Sequence, residues 1–242
     1  MIAMLILAGS AQAQRTGDGF MFGEPRGSLT VRGGFAHANA GSDIFSFTTS
    51  RLTIDRRDFS GRSAGGDVAL RIAHRLDLAV SGSWSGRTTK SEFRDWVDQD
   101  DLPIRQTTFF ARVPVTAGLR AYLLPRGRAI GRYAWIPARF TAYVGGGVGV
   151  MWYQFRQRGD FVHFETLAVF PDRFESRGLT PTAQGLAGVE LTITPRFALT
   201  AEGRYSMAKA GLSNDFDGFD RIDLSGPSAT LGVTARFSGW SR

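Results

Sequence analysis

A period of two recurs in eight separate segments of this 242-residue chain, and it restricts the possible folds more than any other feature. Thr107, Phe109, Ala111, Val113, Val115, Ala117 and Leu119 fall on one side of an extended chain. Thr108, Phe110, Arg112, Pro114, Thr116, Gly118 and Arg120 fall on the other. Such alternation marks a strand, because a helix would scatter both sets around its circumference. Seven further faces have the same character: Leu29 to Phe35, Val68 to Ile72, Leu78 to Trp84, Phe140 to Trp152, Ala187 to Ile193, Phe197 to Tyr205 and Ala229 to Phe237, each read at every second residue. None carries a charge. The opposite faces hold Arg32, Asp67, Arg71, Arg112, Arg120, Glu190, Glu202, Arg204 and Arg236 among small and hydroxylated residues.

A charge facing mid-bilayer lipid costs roughly 2–4 kcal/mol, so long charge-free faces are what a lipid-facing wall requires. After the N-terminus no stretch approaches the ~18 unbroken apolar residues of a membrane helix, which leaves strands as the only way across. A soluble sandwich or lipocalin-like binder would turn the apolar faces inward. Alternation alone does not say which face points in. The length of the apolar faces and the N-terminal segment favour lipid outside. The expected fold is all-β, an eight-stranded antiparallel up-and-down transmembrane β-barrel with four long external loops.

The segment Met1 to Gln14 has an apolar run from Ile2 to Ala8, followed by Ala11-Gln12-Ala13, an A-x-A cleavage pattern. Residues 1–13 are therefore expected to be a signal peptide, though no Lys or Arg precedes the run. Residues 14–27 are expected to be an N-terminal periplasmic segment, 28–237 the barrel and 238–242 a C-terminal tail. Connections alternate between short turns, at about His74 to Asp77 and at Thr194-Pro195-Arg196, and long loops at 39–63, 86–105, 155–180 and 209–225. The connection from Pro125 to Pro137 is the exception, too long for a periplasmic turn. Aromatic residues gather at both ends of the apolar faces. Phe35, Trp84, Phe109, Trp152 and Tyr205 are assigned to an external girdle. Tyr122, Phe140, Phe197 and Phe237 are assigned to a periplasmic one, with Tyr133 and Trp135 nearby.

These residues together resemble the small OmpA/OmpX-type outer-membrane barrels, within the broad group of outer membrane protein beta-barrel domains. The resemblance spans roughly Phe20 to Phe237 and includes the entry Phe22-Gly23-Glu24-Pro25-Arg26-Gly27. The last strand, with Leu231, Val233, Ala235 and Phe237, looks like the signal read by the barrel-assembly machinery, although Ser238 to Arg242 follow and Trp240 can share that role. The resemblance implies a bacterial outer-membrane location, reached by export through the cleaved signal peptide. It implies contact with outer-membrane lipid and lipopolysaccharide, and no single activity.

Eight strands enclose an interior just wide enough to be filled by side chains. Gly145, Gly147 and Gly149 are expected to leave room there for long neighbours, with Glu190 and Glu202 pairing Arg112, Arg204 or Arg236. A buried charge needs such a partner. Pro114 is expected to mark a bulge. The absence of cysteine excludes thiol chemistry and disulfides. The formal charge of +7 does not read as a nucleic-acid site, because the four loop spans hold 16 of the 22 acidic residues and only 14 of the 29 basic ones. Asn214 to Asp220 resembles a calcium loop only faintly, and no cofactor or metal is expected.

Of the three histidines, His74 falls at a turn. His37 and His163 lie at the external end, where His37 with Ser83 or Ser85 could form a rim site for lipid hydrolysis. The leading expectation is instead a non-enzymatic barrel with a plugged, salt-bridged lumen, stabilising the envelope or displaying loops for adhesion. A small-solute pore and a rim-site lipid enzyme are the alternatives. The sequence leaves the oligomeric state open.

Overall fold

The computed structural model describes residues 20–98, 100–131, 134–163, 166 and 168–238. The signal-peptide reading, most of the C-terminal tail with Trp240, and Tyr133 lie outside them. Eight long strands form one closed barrel: β1 (Gly27–Ala36), β2 (Gly61–Ala73), β3 (Leu76–Val97), β4 (Pro103–Tyr122), β5 (Phe140–Val162), β6 (Val169–Thr192), β7 (Phe197–Met207) and β8 (Gly226–Phe237). Each strand pairs antiparallel with its neighbours in sequence, and β8 closes the ring on β1 from Ser228–Ala36 to Phe237–Gly27. A closed meander leaves no sheet edge with unpaired backbone groups, which is the condition for strands to cross lipid.

The alternate faces separate inside from outside. Val31, Leu70, Val80, Val115, Val148, Leu199 and Leu231 all point outward and are exposed. Arg32, Asp67, Arg120, Glu190, Glu202 and Arg236 point inward and are buried. The barrel is therefore inside-out relative to a soluble one. Along β5 the outward face is apolar from Phe140 to Trp152. Twelve residues at ~3.3 Å each, tilted by ~40°, cover about 30 Å of membrane normal, close to the height of an apolar band with its girdles. Val148, 69% exposed, sits within this face. Val148→Arg is expected to cost roughly 2–4 kcal/mol in urea-dependent folding into vesicles; a cost near zero would place this face in water.

The strands at one end, the loop end, run far beyond this band. The segments 86–105 and 155–180, expected as loops, are largely strand: β3 and β4 continue to a connection at 98–102, and β5 and β6 to one at 163–168. Alternation continues through them, with Gln106, Phe155 and Gln157 inward. Only the outward residues change, to Lys90, Arg156 and Arg158, because the wall there no longer meets lipid. Among the described residues at this end, the long connections are 37–60 and 208–225. The first contains a helix, α1 (Asp43–Arg51), which an all-β reading did not anticipate. Its Ser, Thr and Phe residues are poor helix formers, so burial of Ile44, Phe45 and Thr48 holds it rather than propensity.

At the turn end, the long connection between β4 and β5 is not irregular. Gly127–Ile130 and Ala134–Pro137 form a hairpin, and Met21–Phe22 adds a third strand to it. Pro114 makes no bulge. Its pairing with Met151 continues the β5 ladder, while the β3 ladder is interrupted between Gly82–Val115 and Ser85–Arg112 without change of register.

Candidate functional site

The interior is a stack of polar layers. In the middle, Asp67 from β2 and Glu202 from β7 lie among Arg32, Arg120 and Arg204. Arg32 pairs with Asp67, and its Nε lies 3.9 Å from Glu202. Arg120 donates to the second Asp67 oxygen at 3.1 Å, and its Nη2 lies 3.7 Å from Glu202. Arg204 donates to Glu202 at 2.7 and 3.2 Å, to Ser81 at 3.0 Å and to Gln184 at 3.0 Å. Tyr143 donates its hydroxyl to Glu202 at 3.0 Å, and the Arg120 guanidinium stacks on its ring 4.5 Å from the centroid. Charges so deep in a protein are tolerated only when paired and hydrogen-bonded, and each of these carboxylates meets at least two guanidiniums.

Toward the turn end, Arg236 donates to Glu190 at 2.7 Å and Tyr122 donates to its other oxygen at 3.1 Å. Arg126, at the base of the hairpin, donates to both oxygens of Asp77 at 2.9 and 3.0 Å and stacks on Tyr122. Arg71 pairs with Glu24 of the N-terminal segment, not with a lumen carboxylate. Tyr122 is accordingly corrected from the girdle to the lumen: it is 3% exposed and shares parity with Arg120 and Arg112. Phe140, Phe197 and Phe237 remain exposed at that end, as Phe35, Trp84 and Tyr205 do at the other; Phe109 and Trp152 are half-buried.

Arg112 also departs from expectation. Instead of meeting Glu190 or Glu202, it donates to the carbonyls of Leu224 at 2.7 Å, Ser225 at 3.1 Å and His37 at 3.1 Å. It ties the two long loops to the wall. The glycines of β5 have a different reason from the one expected. A Cβ on Gly147 would lie 2.7 Å from the Ala117 carbonyl oxygen, so the close backbone of β4 requires glycine there.

Above Arg112 lies an apolar cap. Ile44 and Phe45 of α1, Phe59, Phe110 of β4, Phe155 of β5, and Phe216 and Leu224 of the second long loop form one buried cluster. The Phe45 ring meets Phe59, Phe110 and Phe155 with centroids 4.7, 5.4 and 5.8 Å apart, all near edge-to-face, a favourable aromatic geometry. Acidic side chains in the loops bind backbone rather than forming a cation cage: Asp43 accepts from Asp220 N–H at 2.8 Å, Asp215 from Glu175 N–H at 3.0 Å and Asp223 from Ser225 N–H at 3.0 Å. Among the described residues no cluster suited to a metal ion occurs.

The sequence reading did not single out Asp77, Arg126, Tyr143 or Gln184 for the lumen. Parity places each on the charged face of its strand or at its edge. The serine paired with His37 is neither Ser83 nor Ser85 but Ser60, whose Oγ lies 2.9 Å from Nδ1. That Oγ also accepts from Ala38 N–H at 3.1 Å, and Ser60 is 1% exposed. Among the described residues no carboxylate bonds the His37 ring. The pair fastens the loop to β1 and lacks the exposed nucleophile and orienting acid of a hydrolytic triad.

No family model and no curated protein matches the chain. Among solved structures, it is similar to the outer membrane protein OprG from Pseudomonas aeruginosa, at 15% identity over 90% of this chain and 100% of that one, with a TM-score of 0.45. It is also similar to Neisserial surface protein A, at 15% identity over 86% and 97%, with a TM-score of 0.43. A third, Ail, the attachment invasion locus protein of Yersinia pestis, matches at 14% identity over 88% and 99%, with a TM-score of 0.42. By strand number, antiparallel order, closure and apolar exterior, the chain has the architecture of a small eight-stranded up-and-down β-barrel.

Proposed function

We propose that this protein is a non-conducting barrel of the bacterial outer membrane that holds its loop-end cap outward as a rigid interaction surface. One observation carries the reading: the lumen is filled by side chains most of which pair with one another, with a few buried polar atoms such as Arg32 Nη2 and Arg120 Nε left without a hydrogen bond. The middle layer, the Glu190–Arg236 layer and the Asp77–Arg126 pair follow in sequence, and the apolar cap covers the loop-end mouth. A cavity of about 30 Å³ remains between Arg112 and Arg204, room for ordered water and far below the roughly 300 Å³ of a small-molecule site. A solute path would require several buried ion pairs to separate at once. A cap ordered by packing, rather than by mobile loops, loses little conformational entropy when it meets a partner.

Planar-bilayer recording of the purified, folded protein tests this. Insertion without steady channel currents is expected, with heat-modifiable migration in detergent gels showing that the barrel has formed. Steady large conductance from heat-modifiable protein would overturn the closed-lumen reading. A soluble protein of unchanged migration would overturn the membrane reading itself.

A further inference from the structure

On the outer wall of the barrel, directly above the loop-end aromatics, Arg105 of β4, Arg156 and Arg158 of β5 and Arg173 of β6 line one cleft with Phe109 at its floor. Its volume of about 410 Å³ lies within the roughly 300–1,000 Å³ of small-molecule sites. Two of the four guanidiniums are engaged: Arg105 with Glu92 at 3.3 Å, and Arg173 with Glu175. Hydrogen bonds from Arg173 and Gln154 hold the Glu175 carboxyl below its usual range, so it stays an anion committed to those donors. The other two are held more loosely, Arg156 lying directly opposite Glu175 in register and acting on its carboxylate through space. Arg156 rests on the Phe109 ring at 5.1 Å and has no ion pair within 4.0 Å; Arg158 has neither ion pair nor hydrogen bond among the described residues.

The register leaves one like-charge pair in this arrangement, beside the opposite-charge pair of Arg156 and Glu175. Arg158 lies directly opposite Arg173, and like charges in cross-strand register destabilise a sheet. An anion between the strands would reverse the sign of that contribution. Height selects the kind of anion. Arg156 is four residues beyond Trp152 on the same outward face, about 13 Å along the strand, which is where headgroups begin above an apolar band. The cleft faces away from the lumen, toward whatever surrounds the wall.

We propose that this cleft binds the phosphorylated saccharide headgroup of lipopolysaccharide in the surrounding leaflet, with Arg156 and Arg158 as the principal phosphate ligands. Guanidinium forks suit phosphate oxygens bidentately, and Phe109 offers an apolar floor beside them. The inference rests on the outer-membrane reading above.

The test uses the full chain folded into phosphatidylcholine vesicles containing bisphosphorylated lipid A, with bound lipid A measured after extraction in mild detergent. Arg156→Gln/Arg158→Gln is expected to lower lipid A retention at least about tenfold, since two charge-assisted contacts are removed. Arg158→Gln alone is expected to give a smaller loss in the same direction. Arg56→Gln/Arg57→Gln removes the same charge from an exposed turn of the first loop and is expected to leave retention within about twofold, because screened surface charges at a distance contribute little. Equal losses from both double variants, equal retention of dephosphorylated lipid A, or displacement by inorganic pyrophosphate as effective as by lipid A would each overturn the cleft. Heat-modifiable migration is read on every sample. Variants that fold and insert yet keep full retention sink the cleft alone, whereas wild-type protein that fails to insert sinks the membrane reading beneath it.

Discussion

Glu202→Ala is expected to cost the barrel about 3–5 kcal/mol, the range found when one partner of a buried ion pair is removed. The carboxylate accepts from Arg204 and Tyr143 and faces Arg32 and Arg120, while the Asp67 carboxylate is the other anion of that layer. Without Glu202, three guanidiniums share one carboxylate in an interior closed to bulk water. The Tyr143 hydroxyl also loses its acceptor. Glu202→Gln keeps an acceptor for Tyr143 but not the charge, and is expected to fall between wild type and Glu202→Ala. Urea unfolding in detergent micelles, followed by gel migration of the folded barrel, measures all three. A loss below about 1 kcal/mol for Glu202→Ala would mean that water solvates the freed guanidiniums, and the closed-lumen reading would fail with it.

The second large effect is expected at the cap. Phe45 is 0% exposed and touches three other aromatic rings. Phe45→Ala is expected to remove about 3–5 kcal/mol of packing, as large-to-small core substitutions do. The loss falls on the cap and not on the membrane-spanning wall, because the cluster lies beyond the apolar band, while the first loop keeps its own ties to β3, such as Thr53 N–H to the Glu92 carbonyl at 2.9 Å and Arg87 to Asp58. Limited proteolysis of protein in vesicles is expected to cut within residues 37–60, while the barrel keeps its heat-modifiable migration. Such separate opening is how a less stable unit behaves on a more stable one. Resistance equal to wild type would show that the cap does not depend on Phe45; loss of the folded barrel would show that cap and wall form one cooperative unit.

Parity alone separates the exposed face of each strand from the buried one, and Tyr122 shows what happens when residue type is put before parity. Leu70, Val148 and Leu231 face out, and Asp67, Glu190 and Glu202 face in, because side chains alternate with a period of two wherever a strand is regular. Tyr122 was assigned by residue type to the girdle, although it lies two residues from Arg120 on the lumen face. Arg156 and Arg158 fall in the span read from the sequence as the loop 155–180, yet they continue the outward face of β5. There the wall has risen above the hydrocarbon, and charge on its outer face escapes the penalty that lipid tails impose. The helix at Asp43–Arg51 left no legible signal: its residues have low helix propensity, and most partners of its apolar side chains lie elsewhere in the chain, on β4, β5 and the second long loop as well as at Phe59.

By itself, the sequence determined the number of strands, their up-and-down order, and the face each turns to lipid, because these follow from local alternation and from the penalty on charge in hydrocarbon. Which carboxylate meets which guanidinium was decided only by the tertiary structure. So were the ordering of the two long loops into one apolar cap and the gathering of four arginines from three strands into one cleft. Each of these brings together residues far apart in the chain, at heights and registers set by barrel closure. Alternation encodes the face of a residue, but not its neighbour across the barrel.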